Sequence, residues 1–330
     1  MPSTMSRHEL LHRIFPFLNW FKGYTASFFG GDIIAGLTVA VVLIPQSMAY
    51  AMLAGMPPVY GLYAAAVTPF IGALWGSLRQ LATGPIAIMS LLVLTTLTSY
   101  AEPGSQEFIE LAFLLTFMVG VLYLCIGLFR LGVIMSFISH SSVKGFTAAA
   151  ALIILATQLP HLLGLTVSKH EYILPMLIDI LKNLPGMHLP TLIVGLVALG
   201  IIVGIKKINK NLPGALIALI TASIIVWIMN LDQSGVAVVG ASPKGLPYPH
   251  IPQFDFKIIS ALFGPAFVIA LVSFAETYSV GKAISAETKQ KINVDQEFIG
   301  QGLANLVGSF FQSYPVSGSF SRTAINFDAG

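Results

Sequence analysis

From about residue 30 onward, long apolar runs alternate with short polar breaks. A helix that crosses a bilayer needs roughly 20 apolar residues. Ten runs approach that length: 33–54, 59–76, 81–98, 111–129, 142–163, 191–205, 212–229, 258–284, 298–311, and a tenth that starts near Ser319 and is cut off by the chain end. Residues 172–182 predict a short helix at the surface. The third and tenth runs open differently from the others. Ala82-Thr83-Gly84-Pro85 leads into one, and Tyr314-Pro315-Val316-Ser317-Gly318-Ser319 into the other. A residue before proline is pushed out of the α region, so 80–83 and 314–317 are expected to be extended. Extended backbone at membrane depth is tolerated only under a cover of protein or beside a wet cavity. Broken apolar segments in corresponding halves of a chain point to a transporter's binding site. The two starts, 84–87 and 319–322, are expected to enter from opposite sides and meet near mid-membrane, roughly 10 Å apart or less. Helix N-termini carry unpaired N–H groups and partial positive charge, which suits an anion. In the first run, Pro45-Gln46-Ser47 predicts a break near the middle.

Loop charge supports this division. With the N-terminus inside, Arg7, Arg13, Lys22, Arg79, Arg130, Lys144, Lys206, Lys207, Lys210, Lys282, Lys289 and Lys291 fall on the inner side. Lys169, Lys182, Lys244 and Lys257 fall outside, and Arg322 in the membrane completes the 17 Lys+Arg. One orientation satisfies the positive-inside rule throughout. Composition agrees: 55% hydrophobic and 9% charged, against about 25% charged in a soluble domain. The expectation is an all-α, polytopic helical bundle in the cell membrane, with a cytoplasmic N-terminal lead-in over 1–29. A net charge of +3 without a clustered basic patch excludes a nucleic-acid partner. Cys125 is alone, so no disulfide forms within one chain, and it reads as a small apolar core residue.

Few residues can carry chemistry. Arg322 sits among Ser317, Gly318, Ser319, Ser321 and Thr323. An intramembrane arginine marks a functional site by default; the alternative is a side chain snorkelling to an interface. Glu276, within the eighth run, is either a helix-end acid near the inner surface or a buried carboxylate that takes a proton or Na⁺. Gln46 and Tyr50 share a helix face four residues apart. Asn305 is expected to hydrogen-bond between helices. His8-Glu9-Leu10-Leu11-His12 matches the zinc-protease pattern, but it lies in a polar tail with no third ligand in sight. A zinc hydrolase built on His8, Glu9 and His12 is therefore the weaker reading.

At these residues the chain resembles the sulfate permease (SulP) family of anion transporters. Three blocks carry the resemblance. The first runs from Asp32-Ile33-Ile34-Ala35-Gly36-Leu37-Thr38 through Ile44-Pro45-Gln46-Ser47-Met48-Ala49-Tyr50 to Pro57-Pro58-Val59-Tyr60-Gly61-Leu62-Tyr63. The second is Thr83-Gly84-Pro85. The third runs from Asn293-Val294-Asp295-Gln296-Glu297 through Gly302-Leu303-Ala304-Asn305 to Ser319-Phe320-Ser321-Arg322-Thr323. The likeness extends over nearly the whole chain from about residue 29. It implies an inverted repeat of seven plus seven segments, with half-helices at segments three and ten facing each other across the anion.

On that frame, 30–230 is the first repeat, 231–256 an external connection, and 257–330 the start of a second repeat without its last four segments or a STAS domain. The chain is expected to be a fragment of a longer protein. The resemblance implies an anion site of Gln46, Tyr50, Gly84, Ile86, Ser319, Ser321 and Arg322. It implies a coupling site for H⁺ or Na⁺ at Glu276, no cofactor, and a homodimer when full length. The activity it implies is secondary active transport of sulfate by movement of a core domain against a gate domain. Bicarbonate or dicarboxylate transport and anion exchange remain alternatives. A nucleobase permease of the same general fold is disfavoured, because a neutral base needs no fixed positive charge.

Overall fold

The computed structural model describes residues 15–19, 24–133, 140–167, 173–208, 214–238 and 245–329. His8, Glu9 and His12 lie outside the described residues. The described lead-in contributes a single 3₁₀ turn, Pro16–Asn19. The rings of Phe15 and Phe17 there pack against Trp75, both at 6.2 Å.

Helix α1 spans Ala26–Leu53, with Thr25 at its N-cap accepting from the Phe28 N–H. It does not break at Pro45 as the sequence suggested. A proline inside a helix forfeits one backbone bond, here the one to the Val41 carbonyl, yet the helix runs on through Pro45 to Leu53; the Ser47 hydroxyl next to it bonds back to the Ile44 carbonyl at 2.9 Å. Much of α1 is apolar surface, with Ile33, Ile34, Leu37 and Ile44 exposed, as a lipid-facing helix requires. Helix α2 spans Pro58–Trp75 with proline at its first position, where no N–H is missed. It crosses α1 in backbone contact, since a Cβ on Gly61 would lie 1.9 Å from the Ser47 carbonyl oxygen.

Next come strand β1, Thr83–Gly84, and the short helix α3, Ala87–Leu97. At 11 residues, α3 is about 16 Å long, half of a bilayer's hydrocarbon core. Helix α4, Gln106–Leu128, is capped by Ser105, which accepts from the Phe108 N–H. The second half of the chain brings helix α9, Phe256–Thr288, helix α10, Val294–Ser309, strand β2, Ser317–Gly318, and helix α11, Phe320–Ala329. With α1 to α4 these belong to one unit, residues 1–143 and 243–330. Residues 144–242 form a second unit. Its elements are α5 (His140–Leu163), α6 (Ile173–Asn183), α7 (Leu189–Ile208) and α8 (Gly214–Ile228). In that unit His188 ties three pieces of chain together. Its N–H donates to the Leu163 carbonyl, and its ring bonds Thr191 Oγ1 and the Ser234 carbonyl, each at 2.8 Å.

Helices thus occupy all ten predicted runs. Among the described residues, α1, α2, α4, α7 and α9 are long and apolar enough to span a membrane. Helix α10 is 16 residues long, too short to count among them, and it buries Glu297, Gln301 and Asn305; it is a core helix rather than a lipid-facing one. Small residues let its neighbours reach its backbone. A Cβ on Gly120 would lie 2.6 Å from the Leu306 backbone nitrogen, and one on Gly300 would lie 2.7 Å from Gly76 Cα. Stacked Phe274 and Phe298, with Tyr123 edge-on, fill the space between α4, α9 and α10.

This seam gives a direct test. Gly120→Val should lower the thermal midpoint in detergent by several degrees, since overpacking a close backbone contact costs roughly 1–3 kcal/mol. Gly264→Ala, where a Cβ meets nothing within 4 Å, should not lower it. A Gly120→Val protein as stable as wild type would refute the seam.

Candidate functional site

The third and tenth segments open into two strands that pair. β1 and β2 run antiparallel, Thr83 opposite Gly318 and Gly84 opposite Ser317. The contact continues past the ladder: the Ser319 N–H donates to the Ala82 carbonyl, and the Ala82 N–H to Thr323 Oγ1, both at 3.0 Å. Asn326 Nδ2 donates to the Gln80 carbonyl at 3.0 Å. Prolines 85 and 315 keep the backbone before them extended, and the residues 80–86 and 313–319 are non-helical. The two half-helices therefore start side by side.

Arg322 lies in the first turn of α11 and is 1% exposed; it does not snorkel. Its Nη1 donates to the Pro85 carbonyl at 2.7 Å, bridging the starts of α11 and α3. Its Nε and Nη2 are buried without a hydrogen-bond partner. Those two nitrogens form the side-on edge of a guanidinium, the planar fork that matches two oxygens of one anion. Gly84 makes room for it: a Cβ there would sit 3.2 Å from Nη2. Ser319 caps α11 by accepting from the Arg322 N–H at 3.4 Å, and its hydroxyl meets that of Ser321 at the same distance. Ile86, buried, is the N-cap residue of α3 and supplies no side-chain cap, so that helix start keeps its N–H groups free of a side-chain acceptor.

Tyr50, Tyr314 and Glu276 lie within electrostatic reach of Arg322. Glu276 sits well before the end of α9, so it is not a helix-end acid; its Oε2 is buried and unpartnered, as is Gln46 Oε1. Gln46 lies one turn before Tyr50 on α1, the helix that packs against α11. Ser321 is the outlier of the set, with an exposed side chain.

The residues that hold these starts were largely missed by sequence reasoning. Thr277 on α9 accepts from the Gly318 N–H at 3.0 Å and bonds Ser317 Oγ at 2.7 Å. Ser317 Oγ also donates to the Ser273 carbonyl at 2.9 Å, and Ser273 Oγ bonds the Tyr123 hydroxyl. Asn305 does not link two helices as expected. It bonds the backbone of Val316, just before β2, and the Gln301 carbonyl of its own helix. The available signal was Glu297, Gln301 and Asn305 at four-residue spacing, a polar stripe on an otherwise apolar helix.

Short helices beginning at crossed strands beside a buried arginine define a class: polytopic membrane transporters that bind solute between discontinuous helices. Within it, the chain belongs to the sulfate permease family, whose model matches residues 29–330; this is a transport family, not one of enzymes. The chain is 36% identical over 334 residues to the probable sulfate transporter 4.2 of Arabidopsis thaliana, covering 98% of this chain and 49% of that protein. It is 35% identical over 333 residues to the high affinity sulfate transporter 2 of Stylosanthes hamata, covering 97% and 50%. The chain spans about half the length of these curated relatives. Among solved structures, it superposes on the murine Solute Carrier 26 family member A9 anion transporter in the inward-facing state. There the TM-score is 0.91 at 25% identity, covering 100% of this chain and 58% of that one. It shares its fold with the transmembrane domain of the cyanobacterial bicarbonate transporter BicA, with a TM-score of 0.79 at 23% identity over 93% of this chain and 79% of that one.

Thr277→Val tests how β2 is held. It strands the Gly318 N–H in a dry core, which costs roughly 1–3 kcal/mol, and thermal unfolding in detergent should shift down accordingly. An unshifted midpoint would mean that water, not Thr277, serves that N–H.

Proposed function

We propose that this chain forms the anion-binding part of a secondary active transporter of small oxyanions, sulfate foremost. The unused side-on edge of Arg322 is the observation that carries the reading. A buried charge costs several kcal/mol unless compensated. The only partner hydrogen-bonded to this guanidinium among the described residues is a neutral carbonyl. Two donors are left for a ligand, and the start of α3, which no side chain caps, adds favourable potential for an anion. A planar pair of N–H donors favours a ligand that presents two oxygens at once over a monatomic halide. Sulfate, bicarbonate and carboxylates share that face. The names of the Arabidopsis and Stylosanthes relatives favour sulfate.

In this reading Gly84, Ile86 and Ser319 form the walls of the site at the two helix starts. Gln46 and Tyr50 line it from α1, and Ser321 guards its open side. Glu276, with an orphaned buried oxygen beside the arginine's field, takes the coupling H⁺ or Na⁺. The two units support alternating access, with 1–143 and 243–330 as core and 144–242 as gate. Paired antiparallel starts support a seven-plus-seven inverted repeat, with 30–230 as the first repeat, 231–256 as an external connection and 257–330 opening the second. The protein resides in the cell membrane with residues 1–29 cytoplasmic, and works as a homodimer when full length.

Uptake of labelled sulfate, bicarbonate and fumarate into proteoliposomes, under pH and Na⁺ gradients, tests the proposal. In the full-length protein, Arg322→Gln should abolish saturable uptake while membrane insertion survives. Arg322→Lys should restore part of it, since an ammonium keeps the charge and loses the fork. Full activity in Arg322→Gln would return the arginine to a structural role. Glu276→Gln should keep anion binding measurable and remove the dependence of uptake on the driving gradient. Unchanged gradient dependence would eliminate Glu276 as the coupling group.

A further inference from the structure

Helix α10 carries polar residues at 297, 301 and 305, one turn apart and therefore on one face. Glu297 and Asn305 are 0% exposed and Gln301 1%. Buried polar groups are costly unless bonded; Asn305 is bonded just before β2, Gln301 through its Nε2 to β1, and Glu297 to Ser77 ahead of β1, while Gln301 Oε1 has no partner among the described residues. The Val316 N–H donates to Asn305 Oδ1 at 2.9 Å, and Asn305 Nδ2 donates to the Val316 carbonyl at 3.1 Å. A side-chain amide thus gives the residue before β2 both bonds that a third strand would give. Gln301 Nε2 donates to Thr83 Oγ1 in β1 at 2.8 Å. Glu297 accepts from the Ser77 N–H and hydroxyl at 2.8 and 2.9 Å, and from Gln301 Nε2 at 3.4 Å. It thereby holds both Gln301 and the connection that leads into β1.

We infer that Gln301 and Asn305, with Glu297 anchoring Gln301, are positioning residues that set the spacing of the two half-helix starts and so the fit of the anion between them. The inference rests on the Arg322 reading given above. The direct ladder between the strands is two residues long on each side, too short to define a spacing by itself. Helix α10 bonds both sides at once. Arg322 spans from α11 to the Pro85 carbonyl, so any relative slip of the strands re-aims its free edge.

The test compares Thr83→Val, Gln301→Leu and the double variant of the full-length protein in proteoliposomes, with KM and maximal rate measured separately for sulfate and fumarate. Thr83→Val is close to isosteric and deletes the Gln301 acceptor alone. Each single variant should raise the KM for sulfate roughly three- to tenfold, the factor that one neutral hydrogen bond represents. The ratio of the sulfate and fumarate KM values should change. The double variant should be no worse than the worse single, because both delete the same bond. Asn305→Asp keeps the acceptor for the Val316 N–H and loses the donor, and should move KM in the same direction. Size-exclusion chromatography normalises every rate to folded protein. Unchanged KM values for both anions, or additive effects in the double variant, would overturn the inference. Arg322→Gln in the same vesicles separates the two ideas. If it abolishes uptake while Thr83→Val leaves KM alone, positioning by α10 fails and the arginine site stands. If it leaves uptake intact while Thr83→Val moves KM, the arginine site fails.

Discussion

Everything near the centre of this protein depends on two short, buried extended segments satisfying each other's backbone. Hydrocarbon supplies no hydrogen-bond partners, so every N–H and C=O there must be met from within. The β1–β2 ladder meets some of them. The rest fall to side chains: Thr323 for Ala82, Asn305 for Val316, Thr277 for Gly318 and Asn326 for Gln80. Four polar residues on three helices are thus required by a crossing of two residues per strand. The cost in apolar surface is visible on α10, which the crossing keeps out of contact with lipid.

The same crossing locates the charge. An arginine in the first turn of α11 could reach solvent if α11 began at a membrane face. Because α11 begins at the strand pair, the guanidinium is delivered to the start of the opposite half-helix, where Pro85 offers a carbonyl and Gly84 offers space. Tyr123, Phe274 and Phe298 pack ring against ring, and the free guanidinium edge is left, with Glu276 Oε2 and Gln46 Oε1, among the buried polar groups without a partner.

Much of this was legible in the sequence. Ten apolar runs, the loop charges and the Gly-Pro and Pro-Val-Ser-Gly starts of segments three and ten gave the helices and the place where they break. The break expected at Pro45 did not occur: the helix absorbs the loss of one backbone bond and runs from Ala26 to Leu53, an outcome a local motif does not reveal. The supporting shell was the least legible part. Thr83, Thr277, Gln301 and Ser317 have ordinary residue types, and their partners lie up to 218 positions away, a distance over which periodicity carries no information. Asn305 was noticed as polar and assigned the wrong partner for the same reason. Whether Glu276 ended a helix or lay within one depended on α9 running on to Thr288.

The antiparallel sense of the two strands has an electrical consequence. In the proposed inverted repeat, half-helices that leave the crossing in opposite directions would carry opposed macrodipoles, so the potential across a bilayer would do almost no net work on the pair as a body. The voltage acts instead on discrete charges near it: Arg322, Glu276 and whatever ion is bound. Each full charge carried across responds with about 2.3 kcal/mol per 100 mV. On the proposed reading, an arginine that travels with a divalent anion would cancel half of that anion's response, so the resident cation would set how strongly the membrane voltage opposes or drives the loaded protein.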